Sequence, residues 1–191
     1  MKKLILLLFL AVTSLNAQII TIKHKAYEIH FDTKLKEPIF THYFLTKSML
    51  NGKNARTLFH FDSAVPNSQQ NGTSLTGYDK GHLSPDDDFR ADITTESESM
   101  VYTNEAPQVS SFNRGTWKSL ENHVRDLAKN NKVEVWTGCI YGSSNIPLYF
   151  WKVISYGNSL ESYKLPNNAN VLKDYTIYKV DAKELLKLIQ K

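Results

Sequence analysis

Apolar and polar positions alternate with a period of two in several short stretches of the chain, the mark of strands with one buried face. Tyr27–Phe31 reads YEIHF, and Pro38–Leu45 is rich in aromatic and β-branched side chains. The polar DTKLKE between them reads as a turn, so a hairpin is expected, and Ser48–Ala55 (SMLNGKNA) reads as a further turn. Val133–Tyr141 (VEVWTGCIY) and Leu148–Ser155 continue the strand pattern, and another strand is expected at Tyr175–Val180. Between them the period changes. Trp117, Leu120, Val124 and Leu127 recur at spacings of three, four and three, one apolar stripe of a helix over Thr116–Asn130. A terminal helix is expected at Asp181–Gln190. No repeat, low-complexity tract or linker interrupts the pattern, which predicts a single α+β domain with a central, mainly antiparallel sheet.

The first residues, MKKLILLLFLAVTSLNA, have a different character. Lys2 and Lys3 precede an unbroken apolar run from Leu4 to Val12, and small and polar residues follow as far as Ala17. That is the layout of a secretory signal peptide, and the run is too short to span a bilayer. The expectation is a signal peptide at 1–17 and a mature domain at 18–191, exported to the periplasm or the medium without stable membrane insertion. Loss of Lys2 and Lys3, with no acid in that segment, lowers the formal charge from +4 to +2. Such a charge does not by itself imply nucleic acid, so any such function must rest on motifs. Hydrophobic residues at 41% and charged residues at 22% exclude a disordered chain. Cys139 is the only cysteine, which excludes an intramolecular disulfide; it reads as a small buried apolar residue.

Residues 63–77 lack periodicity and are dense in Ser, Asn, Gly and Gln, a long loop that ends at Tyr78-Asp79-Lys80-Gly81-His82. An imidazole exchanges protons near neutral pH, so His82 at this loop exit is a candidate general base, with Gly81 admitting close approach of a ligand. Ser84-Pro85-Asp86-Asp87-Asp88 has the form of a capped helix start, with a metal-binding cluster of aspartates as the alternative. Further on, Asn104 and Asn113 lie nine residues apart with Pro107 and Gln108 between them. Glu121 and Arg125 stand at i and i+4, where a surface ion pair is the simplest reading.

Together, DKGH and the later TNxxPQxxxxNxGxWxxLExxxR resemble the DNA/RNA non-specific endonuclease family, of the ββα-metal (His-Me finger) type. The resemblance extends over about residues 24–180. It implies a ββα-metal active site that cuts DNA and RNA with little sequence preference and leaves 5′-phosphate ends. It assigns His82 as general base and Asn113 as the direct protein ligand of Mg²⁺, with Mn²⁺ or another divalent cation as a substitute. Glu121 would act near the metal through water, Arg125 and Arg56 on the phosphate, and Asn104 in orienting the site. Lys80 departs from the pattern, which usually has Arg there; the charge is kept and the planar fork lost. Reduced activity or altered pH dependence is the expected result. The rival readings are a secreted nucleic-acid binder of the same fold with impaired catalysis, and a general extracellular interaction domain. Oligomeric state does not follow from the sequence.

Overall fold

The computed structural model describes residues 19–53 and 57–190; the expected signal segment and Arg56 lie outside the described residues. Its strands are β1 (Ile19–Lys23), β2 (Tyr27–Asp32), β3 (Glu37–Leu45), β4 (Tyr78–His82), β5 (Glu105–Val109), β6 (Val133–Tyr141), β7 (Pro147–Tyr156) and β8 (Ser159–Pro166). Six of them form one antiparallel sheet in the order β1-β2-β3-β6-β7-β8, while β4 and β5 pair as a separate antiparallel ribbon. The helices are α1 (Ile93–Ser99), the single turn α2 (Ser110–Phe112), α3 (Lys118–Ala128) and α4 (Ala182–Ile189). The α+β expectation and the central antiparallel sheet are what the chain forms.

The period-two pattern explains why the sheet is covered on both faces. One set of alternate residues, including Ile29, Phe31, Tyr43, Leu45, Val135, Phe150 and Ile154, packs against Phe112, Trp117, Leu120 and Val124. The other set, led by Phe40, Trp151 and Val153, is covered by Leu185 and its neighbours in α4. The DTKLKE turn closes β2 onto β3 because the Asp32 carboxylate accepts from the backbone N–H groups of Lys34 and Leu35 at 2.8 and 2.9 Å.

Several elements differ from the pattern. Tyr175–Val180 is not a strand. Asp174 accepts from the Thr176 N–H at 2.9 Å and opens a 3₁₀ turn at Tyr175–Tyr178, leaving only an isolated bridge from Lys179 to Tyr163. The helix expected from Thr116 starts earlier, because a π turn at Asn113–Trp117 joins α2 to α3. Ser84 does not cap a helix: Asp86–Asp88 is a short 3₁₀ turn that follows Pro85 without a side-chain cap, and Ser84 is fully buried. The edge strand β8 pairs with β7 over its whole length although its sequence, SLESYKLP, gives a weak alternation signal. No helix among the described residues is long and apolar enough to cross a membrane.

Candidate active site

The β4–β5 ribbon carries the DKGH segment, with Gly81 opposite Ala106 and His82 opposite Glu105. A Cβ at Gly81 would lie 2.3 Å from Gln108 Oε1. Glycine is therefore required to seat the buried Gln108 side chain, and the space expected for a ligand belongs to the protein itself.

His82 is 8% exposed. Phe59 lies over its imidazole, with ring centroids 4.9 Å apart and planes inclined by 27°. Nε2 stands 3.2 Å from Met100 Sδ. A thioether can only accept, so this contact favours a proton on Nε2, while Nδ1 lies 3.9 Å from Asp86 Oδ1. Asn104 secures the chain just beyond. Its Nδ2 donates to the carbonyls of Ser84 and Ser99 at 2.7 and 2.8 Å, and its Oδ1 accepts from the Ser84 N–H at 3.0 Å. Fully buried, Asn104 ties the backbone of Ser84 to that of Ser99.

The opposing wall comes from the π turn and α3. Asn113 Nδ2 donates to Asp79 Oδ2 at 2.9 Å. A carboxylate only accepts, so Asp79 fixes which end of the Asn113 amide faces it and leaves the carbonyl oxygen as the atom available to a ligand. The same carboxylate accepts from Arg114 Nε and Nη2 at 2.8 and 2.6 Å and from Ser110 Oγ at 2.9 Å. These donors, Arg114 first, hold the Asp79 carboxyl below its ordinary range. Eight residues of regular α-helix make about 2.2 turns, which would set Glu121 about 80° round from Asn113. The wide π turn takes up part of that excess, and π turns recur at functional sites.

His82, Pro85, Asp86, Asp87, Asn113, Arg114, Lys118 and Glu121 line one cleft of about 160 Å³. Burial pushes the Glu121 carboxyl up to about 7, opposed by Lys152 and Arg125. Burial also pushes Lys152 down to about 8, opposed by Glu121 and Asp88. The expected site residues thus divide. His82, Asn113 and Glu121 meet in the cleft. Lys80 turns elsewhere: its Nζ donates to the Gly72 carbonyl at 2.8 Å, lies 3.6 Å from Glu105 and sits over the Tyr102 ring. Arg125 does not line the cleft; its Nη1 donates to buried Asp88 at 2.9 Å and its Nη2 to Asn122 at 2.8 Å. The surface pair expected between Glu121 and Arg125 is a 3.9 Å contact between two largely buried side chains.

A family model described as DNA/RNA non-specific endonuclease matches residues 9–189. The chain belongs to the DNA/RNA non-specific endonuclease family. Among curated members it is 29% identical over 133 residues to a nuclease from Nostoc sp. (59% of this chain, 48% of that protein). It is 30% identical over 126 residues to the mitochondrial endonuclease G of Caenorhabditis elegans (52% and 41%). A salivary endonuclease of Lutzomyia longipalpis is 47% identical over a shorter stretch of 66 residues (32% and 15%). The matched stretches cover less than half of each of these three relatives. The EndoG/EndoGI complex contains a chain of the same fold, at a TM-score of 0.79 and 24% identity, covering 89% of this chain and 83% of that one.

Within the endonuclease family frame, the donor set can be tested against a cation. Among the described residues no group of three or more His, Cys, Asp or Glu side chains converges as a chelate. What the cleft offers is the oriented Asn113 carbonyl, with Asp86, Asp87 and Glu121 also lining it. One neutral oxygen among carboxylates suits a hard cation that keeps most of its water, and suits a closed tetrahedral N/S site poorly. The residues fit a hydrated, hard divalent cation. Asp79, Phe59, Met100, Arg114 and Lys118 carried no assignment in the sequence, because their contacts join segments whose meeting no local pattern records.

Proposed function

We propose that this chain is an exported, Mg²⁺-dependent endonuclease that hydrolyses phosphodiester bonds in DNA and RNA with little sequence preference. The single observation that carries this reading is that His82 and Asn113, 31 positions apart, line one small cleft together with Glu121. In this reading His82 Nδ1 takes the proton of the attacking water. Phe59 and Met100 hold the ring so that this nitrogen keeps its direction. Asn113 is the residue that would hold the divalent cation, and Asp86 and Glu121 would accept hydrogen bonds from its bound water. When bound, the cation supplies charge neutralisation at the scissile phosphate. Asp79 keeps the Asn113 carbonyl directed, and Asn104 keeps the His82 end of the ribbon in place. Products with 5′-phosphate and 3′-hydroxyl ends follow by family analogy. Little sequence preference follows if contacts go to phosphate and sugar, which position a polymer without reading its bases.

The test is incubation of purified mature protein with plasmid DNA and with RNA. Nicking and degradation are expected with Mg²⁺, and none with EDTA. His82→Ala should lower the rate by about 10²- to 10⁴-fold, the usual contribution of a general base. Intact nucleic acid with Mg²⁺ and a retained gel shift would replace this reading with that of a binder of the same fold.

A further inference from the structure

The cleft that is expected to receive a polyanion is lined by three carboxylates, Asp86, Asp87 and Glu121. Neither Lys80 nor Arg125, assigned from the motifs, lines the cleft, though from outside it Arg90 pairs with Asp87 and Arg125 acts on Glu121. Lys80 is committed to Gly72 and Glu105, and Arg125 is held by Asp88. Two other cations line the cleft, Arg114 and Lys118. Arg114 is 74% exposed, and Asp79 engages only its Nε and Nη2, so three of its five N–H donors take no part in that pairing. Lys118 is exposed four residues further along. Both stand on the segment that begins with Asn113. Asp79 binds the Asn113 amide and the Arg114 guanidinium with one carboxylate, which fixes the two against each other.

We infer that Arg114 and Lys118 form a cationic rim that grips phosphates flanking the scissile one, so that the site binds polynucleotide in preference to an isolated phosphodiester. This inference rests on the nuclease reading for its catalytic arm only. The planar guanidinium already aligned by Asp79 suits a phosphate oxygen pair, and Lys118 adds a second point charge to the lining of the cleft. Neutralising each backbone phosphate contributes about −0.9 to the slope of log affinity against log salt on duplex DNA. Two rim contacts therefore account for about −1.8 of that slope, a roughly 12-fold difference in affinity loss for a fourfold rise in salt.

The experiment measures duplex binding by fluorescence anisotropy in EDTA over a salt series, for wild type, Arg114→Gln, Lys118→Gln and the double variant. Lys129→Gln serves as the control, since Lys129 is exposed just past the end of α3, pairs with Asp126 and lies outside the cleft. Each rim variant should flatten the slope by about 0.9, and the control should not. With Mg²⁺, the loss on polymer should fall on KM rather than kcat, and should exceed the loss on bis(p-nitrophenyl) phosphate, which has no flanking phosphate. Slopes equal to wild type in both rim variants overturn the inference, as does an equal flattening by Lys129→Gln. An equal loss on the small diester would instead mean that Arg114 acts by holding Asp79. If wild type cuts nothing with Mg²⁺, the nuclease reading fails, and the EDTA salt series still decides the rim.

Discussion

Asp79→Ala removes the carboxylate that orients Asn113. The lost bond is an amide N–H donating to a charged oxygen at 2.9 Å, of a kind that contributes about 1.5–3 kcal/mol. Without it the Asn113 amide can turn about its broad terminal torsion and present nitrogen where oxygen is needed. Substitutions of groups that orient a metal ligand typically weaken metal affinity by about 10- to 100-fold, or about 1.4–2.7 kcal/mol, which matches the bond removed. The stability cost should stay close to that of the Asn113 bond, because the Arg114 side of the pair is 74% exposed and an exposed pair contributes only about 0–1 kcal/mol. The assay is the initial rate of plasmid cleavage across a Mg²⁺ titration, with a urea melt in parallel. The half-saturating Mg²⁺ concentration should rise by about 10- to 100-fold, and the maximal rate should be largely regained at high Mg²⁺. Asp79→Asn keeps an acceptor and should shift the titration less. An unchanged Mg²⁺ requirement, or a rate loss that no Mg²⁺ concentration restores, would refute the coupling between Asp79 and the ligand.

Asn113→Ala, which deletes the oxygen itself, should raise the Mg²⁺ requirement more than Asp79→Ala does; an unaltered titration would remove Asn113 from the metal site. Asp88→Asn takes the charge from a buried group bonded to both Arg125 and Tyr43, at 2.9 and 2.7 Å. It should destabilise the fold by about 3–5 kcal/mol in urea denaturation, and a loss under about 1 kcal/mol would contradict the buried pairing. Burial holds the Glu37 carboxyl up at about 8 against an ordinary 4.5, with Glu105 adding to the rise and Asn71 donating to it at 2.7 Å. A folded value above the unfolded one means that the stability tied to the protonated carboxyl is complete below pH 4.5 and is lost as pH rises through about 8. Melting temperatures of wild type should therefore fall relative to Glu37→Gln across that window, and parallel profiles would count against a buried neutral Glu37.

The sheet was readable because its strands obey a period of two and the buried set is strongly apolar. Where that signal thins, prediction fails. In β8, buried Ser162 and half-buried Glu161 occupy positions that a simple pattern assigns to the surface, yet Glu161 accepts from Tyr156 and Tyr163 and meets His123 at 2.8 Å. Tyr175–Val180 has strand composition, but the side chain of Asp174 turns the backbone first. The cleft was readable only as far as residue identity carries chemistry: His82, Asn113 and Glu121. Sequence places Lys80 beside His82 and cannot show that its ammonium is drawn to the Gly72 carbonyl and Glu105. The pairing of Asp79 with Asn113 and Arg114 spans 34 and 35 positions and depends on how the ribbon docks on the π turn.

The central sheet also sets the charge of the cleft from beneath. Lys152, fully buried on β7, donates to Thr137 at 2.6 Å and lies 4.9 Å from the centre of the Trp117 ring, which anchors the start of α3. Burial favours the neutral form of both Lys152 and Glu121, and each opposes that effect in the other. Arg125 acts in the same sense on Glu121 while Asp88 holds its guanidinium. A guanidinium fixed in this way has little freedom to follow a phosphate in the cleft. Its surroundings suit a different part: favouring the ionised form of Glu121 near neutral pH, so that a carboxylate rather than a carboxylic acid faces the cleft. The loss expected from Arg125→Met would then be greatest at acidic pH and smallest at alkaline pH, where Glu121 ionises without help. A phosphate clamp, charged at every pH, would give a loss of the same size throughout.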